Sequence, residues 1–218
     1  MPKRIFLIHA YLHSMAPIDQ VFKASWPEAQ TVNLLDESLY ADVPHDGALS
    51  AALYERTASL LRHCVLSGAD GIVFTGSTFG PAVEKAREAI AVPVLKADEA
   101  MADMAVARGE RILLICTQQR AMRIVRPGLD EAVARAGGNH QITELWTAGA
   151  KDAMTAGQLG THDRLIAAQI RTAGDFDVIV LGQISMAGAR EYLPPELNSR
   201  VITSSDAAVA RMRALVDR

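Results

Sequence analysis

The feature that most constrains this chain is an echo of itself. Arg4-Ile-Phe-Leu-Ile-His-Ala10 and Arg111-Ile-Leu-Leu-Ile-Cys-Thr117 share four identities in seven positions. Asp70-Gly-Ile-Val-Phe-Thr-Gly-Ser-Thr-Phe-Gly80 is matched by Asp177-Val-Ile-Val-Leu-Gly-Gln-Ile-Ser-Met-Ala187, and Val94-Leu-Lys-Ala-Asp-Glu-Ala100 by Val201-Ile-Thr-Ser-Ser-Asp-Ala207. All three pairs carry one offset, 107 residues. A single apolar strand matches another by chance; three matches in register point to a two-fold duplication, though not to a solenoid array. The echo predicts two similar lobes related by an approximate two-fold axis, with a ligand cleft between them. Lobe one is expected from residues 1–97 plus 204–218 and lobe two from 98–203.

Each lobe reads as α/β. Short β-branched runs at 4–9, 31–35, 71–75, 92–96, 111–117, 141–146, 178–182 and 201–203 alternate with amphipathic stretches, the pattern of a parallel sheet flanked by helices. Most of the runs are continuously apolar, as strands covered on both faces should be. The stretch 48–67 places apolar residues at 49, 53, 57, 60, 61 and 65 and stops at Gly68, which predicts one helix. Further helices are expected at about 98–108, 120–136, 161–173 and 204–217.

Composition narrows the function. A net charge of −3 over 218 residues argues against nucleic acid as the main partner, since phosphate binding needs a basic excess or stripe. Aromatics at 5% disfavour a base-stacking surface. No apolar run approaches a membrane span, and the N-terminal segment lacks a secretory pattern. Cys64 and Cys116 make neither a CxxC motif nor a disulfide framework, so a cytoplasmic protein is expected. A small-molecule enzyme or binding protein remains.

In open parallel sheets, ligands bind beyond the carboxyl ends of the strands. The echoing strand ends are Thr75-Gly76-Ser77-Thr78 and Gly182-Gln183-Ile184-Ser185. The first joins small residues and hydroxyls to a helix opened by Pro81, whose missing N–H suits a first turn. Free backbone N–H groups there would bind a carboxylate or a developing oxyanion. Ordinary strand-to-helix turns are the alternative reading, because turns favour the same residues.

At these residues the sequence resembles the aspartate/glutamate/hydantoin racemase superfamily, whose members include glutamate racemases, maleate isomerase and arylmalonate decarboxylase. The resemblance runs through Ile5–Ala10, Asn33-Leu-Leu-Asp-Glu-Ser-Leu39, Phe74–Gly80, Val94–Ala100, Arg111–Thr117 and Val180–Ala187. It implies two pseudo-symmetric α/β lobes, a small carboxylate as ligand, no cofactor, no metal and a possible homodimer. In the racemases, a cysteine after the third strand of each lobe flanks the substrate's α-carbon; one thiolate removes the proton and the other thiol returns one to the opposite face. Those positions here are Gly76 and Gln183. Neither is a base near neutral pH, so the resemblance implies the family cleft without its two-thiol mechanism. The decarboxylase also has glycine at the first position and keeps only the second cysteine.

The remaining candidates follow from position. His9, ending the first strand, could carry protons near neutral pH; a histidine held by hydrogen bonds at a strand end is the alternative. His13 is a weaker candidate. Ser77, Thr78 and Ser185 are expected to stabilise an enolate or enediolate, with Gly76, Thr117, Gln183, Ser14 and Met186 around the ligand. The His9–His13 spacing leaves a strand and lacks the HExxH pattern of a helical metal site. Cys64 reads as a buried small hydrophobe; Cys116, opposite His9 in the echo, reads as packing, with a catalytic role at the cleft as the alternative. The resulting expectation is an isomerase or lyase acting on a small carboxylate, or else a binding protein that kept the cleft and lost the chemistry.

Overall fold

The computed structural model describes residues 1–45 and 47–217. The chain forms two compact units, one of Met1–Ala100 with the segment from Ala208 on, the other of Met101–Ala207.

In the first unit, strands β1 (Arg4–His9), β2 (Gln30–Leu35), β3 (Gly71–Phe74) and β4 (Val94–Lys96) form a parallel sheet of order β2-β1-β3-β4. Helices α1 (Met15–Ser25), α2 (Ser38–Ala41), α3 (Ala51–Leu66) and α4 (Gly80–Arg87) make the connections, and α5 (Glu99–Arg108) carries the chain onward. In the second unit, β5 (Arg111–Cys116), β6 (Gln141–Trp146), β7 (Val178–Leu181) and β8 (Val201–Thr203) form a parallel sheet of order β6-β5-β7-β8. Its helices are α6 (Gln119–Ala136), α7 (Ala150–Thr155), α8 (Leu159–Thr172) and α9 (Pro195–Asn198); α10 (Ser204–Val216) returns the chain to the first unit. The two sheets share one strand order, so the sequence echo is an echo of topology.

Local hydrogen bonds repeat as well. The Asp70 carboxylate accepts from the Arg4 backbone N–H at 2.7 Å, and the Asp177 carboxylate accepts from the Arg111 N–H at 2.9 Å. At the other end of the same strand pairs, the Thr75 N–H donates to the Ile8 carbonyl and the Gly182 N–H to the Ile115 carbonyl, each at 2.9 Å. The Arg111 side chain, with its backbone N–H, holds the Asp177 carboxyl down at about 2.

Each sheet has its own core. Phe6, Ile8, Ile72 and Phe74 from the strands pack with Leu53, Leu61 and Val83 of α3 and α4. Leu113, Ile115, Ile179 and Leu181 pack with Ile166 and Ile170 of α8 and with Met186. Ser50 opens α3, its hydroxyl accepting from the Leu53 N–H, and Gly68 follows its last turn at φ +80°, a backbone conformation that glycine adopts without steric cost. The fourth strand begins at Val94, two residues later than expected, because Pro93 has no N–H to give to a ladder. Pro93 contributes its carbonyl instead, accepting from Ile72 N–H.

Candidate active site

Both sheet orders place a topological switch between their two middle strands: the chain leaves β1 toward one edge, returns to the other side of it as β3, and does the same around β5 with β7. The carboxyl ends of such a pair are where an open parallel sheet leaves a crevice for a ligand. In the first unit that point is His9 beside Thr75 and Gly76; in the second it is Cys116 and Thr117 beside Gly182 and Gln183.

At the first point the structure builds a buried polar network. His9 is fully buried. Its Nε2 lies 2.8 Å from Asn33 Oδ1, and Asn33 Nδ2 donates to both oxygens of Asp19 at 3.0 and 3.1 Å. Its Nδ1 lies 2.9 Å from both the Ser14 and the Thr75 hydroxyls. Ser14 also donates to the Tyr11 carbonyl at 2.7 Å. Burial pushes the His9 imidazole below its ordinary value of 6.5, against the opposing pull of Asn33 and Asp19, so the ring is neutral near pH 7.

This gives a signed prediction. The folded protein resists protonation at His9 while the unfolded chain accepts it near 6.5, so stability present above that value is lost as pH falls below it. Melting midpoints at about pH 7.5 and about pH 5.5 should show the drop. Asp177, held at about 2, weakens the fold only in a separate, more acidic window as pH falls below 3.8. Equal midpoints at the two values would contradict this account of His9.

Gly76 and the 3₁₀ turn Ser77–Phe79 lead into α4, with Pro81 in its first turn. Gly76, Ser77 and Thr78 offer backbone N–H groups that have no acceptor among the described residues, as the opening of a helix leaves them. The Ser77 hydroxyl is likewise without a partner there, while the Thr78 hydroxyl lies 3.1 Å from the Tyr40 hydroxyl. A side chain at position 76 would meet the rings of Phe79 and Phe74 at 3.1 and 3.2 Å. His13 stands over Tyr11, with ring centroids 5.1 Å apart, and takes no part in the His9 network.

The second unit is built differently at the equivalent point. Gln183 Oε1 accepts from the Thr117 N–H at 2.7 Å and the Thr117 hydroxyl at 2.9 Å. With the carbonyl so occupied, the Gln183 amide NH₂ is left as a donor group with no partner among the described residues. Trp146 Nε1 donates to the Thr117 carbonyl at 3.0 Å and fixes the same turn from β6. Ser185 lies in the 3₁₀ segment Ile184–Tyr192, its hydroxyl without a partner among the described residues. Met186 is fully buried in the apolar core.

Both thiols are buried. Burial pushes Cys64 up to about 12; burial, with the Glu144 charge, pushes Cys116 up to about 12. Neither provides a thiolate near neutral pH. Among the described residues no group of three or more His, Cys, Asp or Glu side chains could hold a metal ion. No helix among them is long and apolar enough to cross a membrane.

The Asp/Glu/hydantoin racemase family model matches residues 12–212. Similar solved structures include an allantoin racemase from Klebsiella pneumoniae, at 22% identity and TM-score 0.70 over 99% of this chain and 88% of that one. An aspartate racemase homologue from Pyrococcus horikoshii matches at 14% identity and TM-score 0.69, over 99% and 100% of the two chains. A glutamate racemase from Francisella tularensis, solved with D-glutamate, matches at 12% and 0.70, over 99% and 81%. These likenesses establish a shared fold. No curated protein matches the sequence.

Proposed function

The chain belongs to the Asp/Glu/hydantoin racemase family, and on that premise we propose that it is a cofactor-independent isomerase- or lyase-type enzyme that activates a small carboxylate through an enolate-like intermediate. It does so without the two-thiol mechanism. The observation that carries this reading is the set of unpartnered donors at the strand-end turn of each unit. In the first unit the N–H groups of Gly76, Ser77 and Thr78 and the Ser77 hydroxyl, with the Thr78 hydroxyl that Tyr40 meets at 3.1 Å, suit a carboxylate that gains charge as its α-carbon loses a proton or carbon dioxide; in the second unit the Ser185 hydroxyl is such a donor. In the second unit the Gln183 amide NH₂, its carbonyl held by Thr117, is a further donor. Gly76 and Gln183 occupy the positions that the family resemblance gives to the two cysteines, and both of this chain's thiols are buried and protonated. Ser14 enters through His9 rather than by touching the ligand, and Met186 supports the turn from the core. A binding protein that kept the donors and lost the chemistry is the second reading, favoured by the complete burial of His9 with both ring nitrogens engaged.

The test is proton NMR in heavy water with aspartate, glutamate, hydantoins, maleate and substituted malonates. Loss of an α-proton signal, isomerisation or release of carbon dioxide is the expected outcome. No change in any panel member, while one of them still perturbs the protein's own spectrum, establishes the binding reading instead. A Gly76→Cys variant sharpens the test. It should exchange the α-proton from one face without efficient racemisation, because Gln183, at the other position that the family resemblance gives to a cysteine, still offers no base. Its folding penalty should be about 1 kcal/mol, since the Phe74 and Phe79 rings must give way. Rapid and complete racemisation by that variant would contradict the proposal.

A further inference from the structure

We propose that Asp19, Asn33, His9 and Thr75 form a one-sided proton relay, in which the Thr75 hydroxyl meets the ligand's acidic carbon and His9 Nδ1 takes up the proton. The relay rests on the reading that this chain activates a carbon acid, and it supplies that reading's proton carrier.

The direction of the hydrogen bonds to the His9 ring follows from the partners that each group has. An ionised carboxylate only accepts, so the Asn33 atom 3.0 and 3.1 Å from the Asp19 oxygens is the amide nitrogen. The Asn33 carbonyl oxygen therefore faces His9 Nε2 at 2.8 Å, and Nε2 must carry the ring proton. Nδ1 is left as a bare lone pair with two hydroxyls 2.9 Å away. Each hydroxyl also has a carbonyl within reach: Ser14 has that of Tyr11 at 2.7 Å, closer than Nδ1, whereas Thr75 has that of Ile8 at 3.2 Å, farther than Nδ1, so Thr75 supplies the hydrogen to Nδ1. A hydroxyl, an imidazole and a group fixing the far ring nitrogen make the standard arrangement for activating an oxygen. His9 and Ser14 are buried, whereas Thr75 is only partly so, and it directly precedes the donors of Gly76–Thr78. Of the network, Thr75 is the member that can reach a ligand held by those donors.

The step balances. The carbon–hydrogen bond of the ligand breaks and its proton passes to Thr75 Oγ1. The original Thr75 hydroxyl proton passes to His9 Nδ1, and the electron pair stays on the ligand as an enolate. The imidazolium keeps its Nε2–H bond to the Asn33 carbonyl, with the Asp19 charge behind the amide. Reversal returns a proton to the same face, so the relay exchanges and does not racemise. Thr75 and His9 are the catalytic pair; Asn33 and Asp19 position the ring and favour its charged form.

The experiment follows deuterium uptake by the responsive panel compound, with long-range proton–nitrogen NMR of the full chain reading the His9 tautomer. Wild type should carry its proton on Nε2. Thr75→Val should slow exchange by about 100-fold or more at unchanged KM and unchanged tautomer, and Thr75→Ser should restore it. Asp19→Asn, which removes the charge behind Asn33, should move the acid limb of the exchange profile to lower pH, a shift that a purely structural role would not produce. A proton on Nδ1, or a Thr75→Val variant that exchanges like wild type, overturns the relay and leaves the function standing. Wild type that exchanges nothing from the panel overturns the function and the relay with it.

Discussion

Replacing Gly182 with alanine is expected to destabilise the fold by about 1–3 kcal/mol, a large penalty for one methyl group. Gly182 is the first residue beyond β7, its N–H bonded to the Ile115 carbonyl at 2.9 Å. Its backbone is not in the left-handed region, so the obstacle is space. A methyl group there runs into the Cys116 sulfur, and would lie 3.2 Å from Leu114 Cδ1 and 3.3 Å from the Ile115 carbonyl oxygen. Close-packed interiors give little under such pressure. The melting point should fall by about 2–4 °C for each kcal/mol lost. Because the sulfur is the principal obstacle, Cys116→Ala should recover part of the loss in the double variant, with a coupling of about 1 kcal/mol. An unchanged melting point for Gly182→Ala, or strict additivity in the double variant, would show that the sulfur is not what excludes a side chain.

The second large effect is at His9. A leucine there is similar in bulk but apolar, and leaves the Asn33 carbonyl oxygen facing it without its donor. Stranding a buried polar group costs about 1–3 kcal/mol, and imperfect packing in a fully buried site adds to it, for an expected total of about 2–4 kcal/mol. The same variant should lose the wild type's drop in stability between about pH 7.5 and about pH 5.5, because the group that resists protonation is gone. A His9→Leu protein as stable as wild type would show that the network contributes nothing to folding. A pH dependence that survives the substitution would assign it to another group.

The sheets were legible because their strands are short, apolar on both faces and repeated in register. β1 falls at the residues expected of it, β5 ends one residue before the expected Thr117, and the equivalent strand ends follow from the 107-residue offset. Helix α1 was not legible: in Met15–Ser25 only Ile18 and Phe22 are buried, and Pro17 interrupts the pattern that marks a helix. The segment Ile184–Tyr192 read as a loop and is a 3₁₀ helix, with Met186 and Ala189 buried at its three-residue repeat. That burial explains why Met186 packs in the core, although its place beside Ser185 had suggested the ligand.

The functional network divides in the same way. His9 drew notice because it ends a strand and titrates near neutral pH. Asn33 and Asp19 did not, since their meaning depends on pairing across 24 and 14 residues of chain. Asn33 lies in the expected strand 31–35 and in the stretch that carries the family likeness, neither of which marks it as polar support for His9, and Asp19 lies in α1. Asn33 lies opposite Leu7 in the β1–β2 ladder, two positions short of His9. Parallel pairing thus brings it near the ring, a fact of register that composition does not carry. Thr75 belongs to the expected strand 71–75 but lies just beyond β3, bonded through its N–H to the Ile8 carbonyl, with its hydroxyl 2.9 Å from His9 Nδ1.

The burial of both cysteines has a practical outcome for chemical labelling. With Cys64 and Cys116 buried and held up at about 12, alkylating reagents at neutral pH should find almost no thiolate in the native protein. Peroxide should leave both sulfurs intact for the same reason. The wild type is therefore a silent background for probe attachment. A single thiol introduced at position 76 would react alone, and its rate against pH would report the electrostatics of the strand-end turn without interference from either native cysteine.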